Sequence, residues 1–178
     1  MSHHRGAIAT RAARCCGAVA VAFVLAPAPC SAETAASHCS AKEQTLFSCD
    51  TGSKTVSVCA TPDLSADAGS VQYRFGKTGA AELVYPPAAA NWRKLTRGGV
   101  LTFAGGGGAY LAFTNAAYRY VVYTAVGSGW GEKAGVAVEK QGKRVASLPC
   151  KGKETSELGP DLFTKAGIAD DTAGFDLP

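Results

Sequence analysis

The sequence predicts an all-β fold, an antiparallel sandwich or small barrel of about nine short strands followed by a short C-terminal helical turn. Three observations point there. Short apolar runs alternate with polar residues and are broken at close intervals by Gly, Pro, Asn and Ser. No stretch carries a long helical period. Beyond an apolar leader, the cysteines are even in number, as in exported domains stapled by disulfides.

The leader comes first. Arg5, Arg11 and Arg14 precede an uncharged apolar run from Cys15 to Ala26, and small residues follow up to Ala32. This is the pattern of a secretory signal peptide at residues 1–32, cleaved after Ala32. The run is shorter than the ~20 residues a bilayer crossing needs, and Pro27 and Pro29 break it, so no transmembrane segment is expected in the mature chain. Pro29 also argues against lipidation of Cys30. The expected location is the periplasm or the exterior. Without the leader's three arginines, the 18 basic residues fall to 15 against 14 acidic ones. A near-neutral domain gives no electrostatic reason to bind nucleic acid.

Residues 33–150 form the expected disulfide-bonded β domain. Cys39, Cys49, Cys59 and Cys150 lack the close spacing and histidine partners of a zinc site, so no metal or other cofactor is expected. If Gly52 sits at the tip of a hairpin, Cys49 faces Thr55 and Cys59 faces Thr45. The two cysteines then share a sheet face, too far apart along it to bond at ~3.4 Å per residue. This favours Cys49–Cys150 with Cys39–Cys59, and leaves Cys59–Cys150 with Cys39–Cys49 as the alternative.

Val71 to Phe75 alternates cleanly, as a half-buried strand does. A turn through Gly76 to Gly79 leads into Ala81 to Tyr85, which Pro86 and Pro87 end. Ala88 to Arg97 is ambiguous. Further strands are expected at Gly99 to Phe103, Ala109 to Thr114, Tyr118 to Thr124, Gly135 to Lys140 and Lys143 to Leu148. Asn115-Ala116 marks a reversal, and Gln141-Gly142 a tight hairpin turn with Gly142 supplying positive φ. Residues 151–178 form a tail. Within it Pro160 to Gly167 has Pro near the start and Gly past the end of a short helix, with Leu162 and Phe163 to dock it. Asp170 to Pro178 is expected to be extended or disordered.

The four glycines Gly105 to Gly108 are followed by Ala-Tyr-Leu-Ala-Phe. A P-loop needs Lys and Ser or Thr there, and a dinucleotide fingerprint needs a helix. The glycines are expected to form a hairpin loop in which Leu101 and Phe103 meet Leu111 and Phe113. Its second use is a bare approach to a partner, with Tyr110 as the anchor beside it. Gly107, Gly108, Tyr110 and Trp130 are therefore the candidate binding residues.

Catalytic groups are sparse. The mature chain has one histidine, His38, in an expected loose start. Gly127-Ser128-Gly129-Trp130-Gly131 has its serine one position away from that of a nucleophile elbow. Asp50, Asp63, Asp67 and Glu82 are the carboxylates that could converge. The expectation is no enzyme and no catalytic residues.

The segments CSAKEQTLFSCDTGSKTVSVCA, VQYRFGKTGAAELVYP, AGVAVEKQGKRVASLPC and GPDLFTKAGI, which span nearly all of the mature chain, resemble a group of small exported bacterial proteins. That resemblance implies export and a β fold and carries no activity with it. More distantly, the chain is similar in architecture to the periplasmic inhibitors of c-type lysozymes, which are disulfide-bonded antiparallel β barrels. Their recognition loop reads Ser-Gly-x-Arg/Lys-Tyr. Here Gly106 to Tyr110 matches it only at one glycine and Tyr110, so the inhibitory contacts do not carry over. The expected function is that of a non-catalytic exported binding protein, an inhibitor of or binder to a protein or other cell-envelope component. A small hydrolase using carboxylates and a small-ligand binder are the alternatives.

Overall fold

The computed structural model describes residues 36–88 and 90–178, so the leader expected at residues 1–32 lies outside the described part. Among the described residues the chain forms β1 (Gln44–Asp50), β2 (Thr55–Ala60), β3 (Val71–Lys77) and β4 (Ala80–Tyr85), then the short helix α1 (Trp92–Leu95). There follow β5 (Thr96–Phe103), β6 (Gly106–Asn115), β7 (Tyr118–Gly127), β8 (Gly131–Lys140), β9 (Lys143–Pro149), β10 (Thr155–Ser156) and the helix α2 (Pro160–Ala166). The strands make two sheets of five, ordered β10-β1-β2-β3-β4 and β5-β6-β7-β8-β9, and all neighbours are antiparallel. Neither sheet closes on itself. The fold is a sandwich, which decides between the two architectures the sequence allowed.

The turns follow their residues. Gln141 and Gly142 have φ of 49° and 75° between the paired Lys140 and Lys143, the left-handed pair that suits the twist of a two-residue hairpin. The helix at Pro160–Ala166 begins on its proline and ends on left-handed Gly167, as the sequence predicts. The ambiguous stretch resolves into α1 and the start of β5, which opens at Thr96 rather than Gly99.

The faces that meet supply the core. Phe47, Val56, Val58 and Tyr73 come from the first sheet, and Leu111, Phe113, Val122 and Val136 from the second, all almost fully buried. Side chains of this size stabilise by roughly 1.5–3 kcal/mol each on burial. Trp92 from α1, with Phe163 and Ile168 in and after α2, joins the same cluster.

Two register details depart from expectation. The β1–β2 hairpin turns through Thr51 to Lys54, so Cys49 pairs with Val56 rather than Thr55. A bulge between Thr45 and Phe47 absorbs one residue, and Cys59 still faces Thr45. Cys49 and Cys59 therefore lie on opposite faces, because a one-residue change of register reverses the side chains. The bulge also lets consecutive Leu46 and Phe47 both be buried. The disulfides are Cys39–Cys59 and Cys49–Cys150, the favoured pairing. Cys49–Cys150 ties the inner face of the first sheet to the end of β9 in the second. Cys39–Cys59 pins the segment before β1 to the outer face of the first sheet.

The second departure is at the glycines. The β5–β6 turn is only Ala104-Gly105, and Gly106, Gly107 and Gly108 belong to β6. Phe103 pairs with Gly106 and Leu101 with Gly108, while Leu111 and Phe113 pair with Gly98 and Thr96. Leu101 and Phe103 thus lie on the outer face and Leu111 and Phe113 on the inner one. The expected meeting of these four does not occur, since any loop with an even number of residues, the two found here or the four glycines, puts odd-numbered residues of the two strands on opposite faces.

Candidate functional site

The hairpin end of the second sheet holds three of the four candidate residues. Its two turns, Ala104-Gly105 and Ser128 to Trp130, are joined by a hydrogen bond from the Ser128 N–H to the Gly105 carbonyl at 2.9 Å. On the outer side the Trp130 ring lies where a side chain on Gly127 would stand, and the Phe103 ring lies against Gly106 beside the Val126 carbonyl. The two rings are 5.5 Å apart, and Lys133 Nζ lies 5.2 Å from the Trp130 ring. Each ring supplies the contact surface its glycine lacks, which supports a glycine-rich sheet.

The inner side of the same end is uncovered. Val100 and Val126 are 55% and 56% exposed, on either side of β6, and Trp130 is 40% exposed at the turn. Val126 pairs with Gly107. A shallow groove of about 310 Å³ runs past Gly107, Gly108 and Val126 to Leu158 and Pro160. Gly107 and Gly108 are thus part of an open surface, but as strand residues rather than as a loop. Sequence reasoning missed the two valines: Val100 fell inside an expected strand and Val126 beyond the end of one, at Thr124, whereas β7 runs on to Gly127.

Tyr110 is elsewhere. It is only 3% exposed, its ring lying over Gly99 on the outer face, and its hydroxyl donates to Asp171 Oδ2 at 3.0 Å. Burial, followed by the neighbouring Asp171 carboxylate, pushes its phenol up to about 12. The expected role as an exposed anchor beside a glycine loop does not fit this position. What covers it is the end of the chain. Asp171 to Pro178 crosses the outer face, with Phe175 5.2 Å from the Tyr110 ring and 5.5 Å from the Tyr123 ring. Arg119 pairs with Asp171 and with Glu139.

Of the groups considered for catalysis, Asp63 and Asp67 are exposed on the surface, and the others are engaged in structure. His38 is held, not loose: its N–H donates to Ser57 Oγ at 3.0 Å, and its Nε2 lies 3.1 Å from the Thr55 carbonyl. Ser57 Oγ in turn lies 2.8 Å from Ser48 Oγ, a pair buried beneath the segment before β1. Asp50 accepts the Gly52 N–H at 2.7 Å within its turn, and Glu82 pairs with Lys54 at 2.6 Å. Ser128 sits in a β–β turn, not the strand-to-helix turn of a nucleophile elbow. Among the described residues, no group of three or more His, Cys, Asp or Glu is placed to hold a metal ion. No helix there is long and apolar enough to cross a membrane. Compared with family models, with curated proteins and with solved structures, the chain matches none.

Proposed function

We propose that this is a non-catalytic exported protein that binds a protein partner of the cell envelope through the hairpin end of its second sheet. The observation that carries the reading is that Val100 and Val126 on the inner side and Trp130 on the outer side are all exposed towards that one end. Single exposed hydrophobics are ordinary, whereas three at one end of a sheet point to an interaction surface. The backbone there is stripped of side chains at Gly105 to Gly108, so a partner can approach the strand closely. Trp130 offers a large ring with an N–H, the kind of group that dominates binding energy at interfaces. Two disulfides suit an oxidising compartment.

The test uses tagged protein, cross-linked in envelope extract. Val126→Asp and Trp130→Ala should each lose a partner that wild type captures, while Val145→Asp, at an exposed site on β9, keeps it. All three should retain the wild-type melting curve. Equal capture by all three variants moves the binding surface away from this end and defeats the proposal.

A further inference from the structure

The outer face of the second sheet carries Tyr110, Ala112, Val121, Tyr123 and Ala137 as an apolar centre. Arg119, Lys133 and Arg144 stand around it. The segment Asp-Asp-Thr-Ala-Gly-Phe-Asp-Leu-Pro at residues 170–178 lies across this face. Its backbone pairs with the sheet only at its start, where Asp170 bridges to Gly98 and the Asp171 N–H donates to the Gly98 carbonyl at 2.8 Å. Beyond that point the sheet holds it through side chains. Arg119 takes the Asp171 carboxylate and donates to the Gly174 carbonyl, Arg144 donates to the Asp176 carbonyl, and Lys133 donates to the Pro178 carbonyl. Phe175 rests on Tyr110 and Tyr123, with the Arg144 guanidinium 5.9 Å from its ring.

We propose that this face is a receiving site for an extended peptide, and that residues 170–178 are its built-in ligand, displaced by a partner's segment of the same chemistry. That segment carries a carboxylate, an aromatic ring four residues later, then a second acidic and an apolar residue. The arrangement reads one carboxylate, one ring and a series of carbonyls, all of which an incoming extended chain can offer. The charges are complementary, three cations and one carboxylate, Glu139, on the face against Asp170, Asp171 and Asp176 on the segment. There is also a way in. An open groove of about 810 Å³ runs beside the tail between Tyr118, Arg119, Arg144 and Phe175, so a competitor can engage the rim before the tail leaves. A tethered tail competes at an effective concentration on the order of millimolar, which masks the site in the resting protein.

The test uses the full chain and a fluorescent peptide of residues 170–178. Phe175→Ala should loosen the tail, seen as faster amide exchange over residues 170–178, and should bind the peptide at least tenfold more tightly than wild type. Adding Tyr123→Ala should abolish that gain, and a peptide with alanine in place of Phe175 should not bind. If exchange shows the tail still docked, the double variant Asp171→Asn with Phe175→Ala is used instead. A released tail with no gain in peptide binding overturns the proposal. So does concentration-dependent dimerisation of wild type that Phe175→Ala removes, since that assigns the face to tail exchange between copies.

Discussion

Both sheets have their outer faces covered by an end of the described chain, and the two covers are built differently. Over the first sheet, the segment before β1 lies on polar residues. Ser57 and Ser48 bond to it, Arg74 takes the Glu43 carboxylate with both arms at 2.6 and 2.9 Å, and Cys39–Cys59 makes the attachment covalent. Over the second sheet the cover is aromatic and charged, and no covalent bond joins it to the face. The first cover can leave only if a disulfide is reduced. The second can leave by exchange. Two segments over the outer faces of antiparallel sheets thus have different uses, one as permanent cladding and the other as an occupant.

The comparison is broken most severely at the bond that serves neither cover. Replacing Cys49 and Cys150 with serine opens a link spanning 101 residues, for which the chain-entropy account gives up to ~4.7 kcal/mol and practice ~2–5. Replacing Cys39 and Cys59, separated by 20 residues, should cost nearer ~3 kcal/mol. Denaturant midpoints of the two double variants should fall in that order. A smaller loss at Cys49–Cys150 would mean that packing alone holds the sheets together.

The next effect is alkaline and belongs to the second cover. The Tyr110 phenol is raised from its ordinary 10.0 to about 12, so its contribution is fully present below 10 and disappears as pH climbs towards 12. Tyr110→Phe should flatten that part of the stability profile and remove one high-titrating component from the tyrosinate absorbance. An unchanged profile would show that Tyr110 is not shielded by the tail.

The smallest effect is acidic and belongs to the first cover. Arg74 beside Glu43 holds its carboxyl below the usual value, with burial opposing the shift. A lowered carboxyl contributes above its unfolded value and loses that contribution as pH falls through the folded one. Glu43→Gln should therefore cost ~1 kcal/mol at neutral pH, and the difference from wild type should close as acid protonates the carboxylate. A difference that persists in acid would assign the effect to packing rather than charge.

The sandwich was legible where local chemistry decides the outcome. Gln141-Gly142 demands its turn, Pro160 and Gly167 bracket their helix, and the distance argument set aside Cys49–Cys59, leaving the observed pairing as the favoured of two. That argument nevertheless placed Cys49 and Cys59 on one face, because nothing in the sequence marks the bulge at Thr45–Phe47. The parity error at Leu101 and Phe103 has the same origin. Four glycines leave the length of a turn unspecified, and a change of one residue reverses every side chain. The tail was harder still. Its hold depends on Asp171, Phe175 and Leu177 meeting residues of four different strands, and such a pattern has no period. The one available hint was the alternation of Phe175 and Leu177 about Asp176. Tyr110 was misplaced for the same reason, since its cover lies about sixty residues further along the chain.

The glycines of the second sheet also constrain how this sequence can change. The Tyr110 ring fills the space at Gly99 and the Trp130 ring that at Gly127, whereas at Gly106 the Val126 carbonyl stands closest. At Gly99 two strands share the volume of one large side chain, and at Gly127 a strand shares it with the turn that follows. An alanine at Gly99 has nowhere to go while Tyr110 remains, and losing the ring of Tyr110 leaves Gly99 bare. The viable substitutions are coupled: a side chain appears on one strand as a ring disappears from its neighbour. In a library randomised at Gly99 and Tyr110 together, the folded survivors should conserve the summed volume of the pair rather than the identity of either residue.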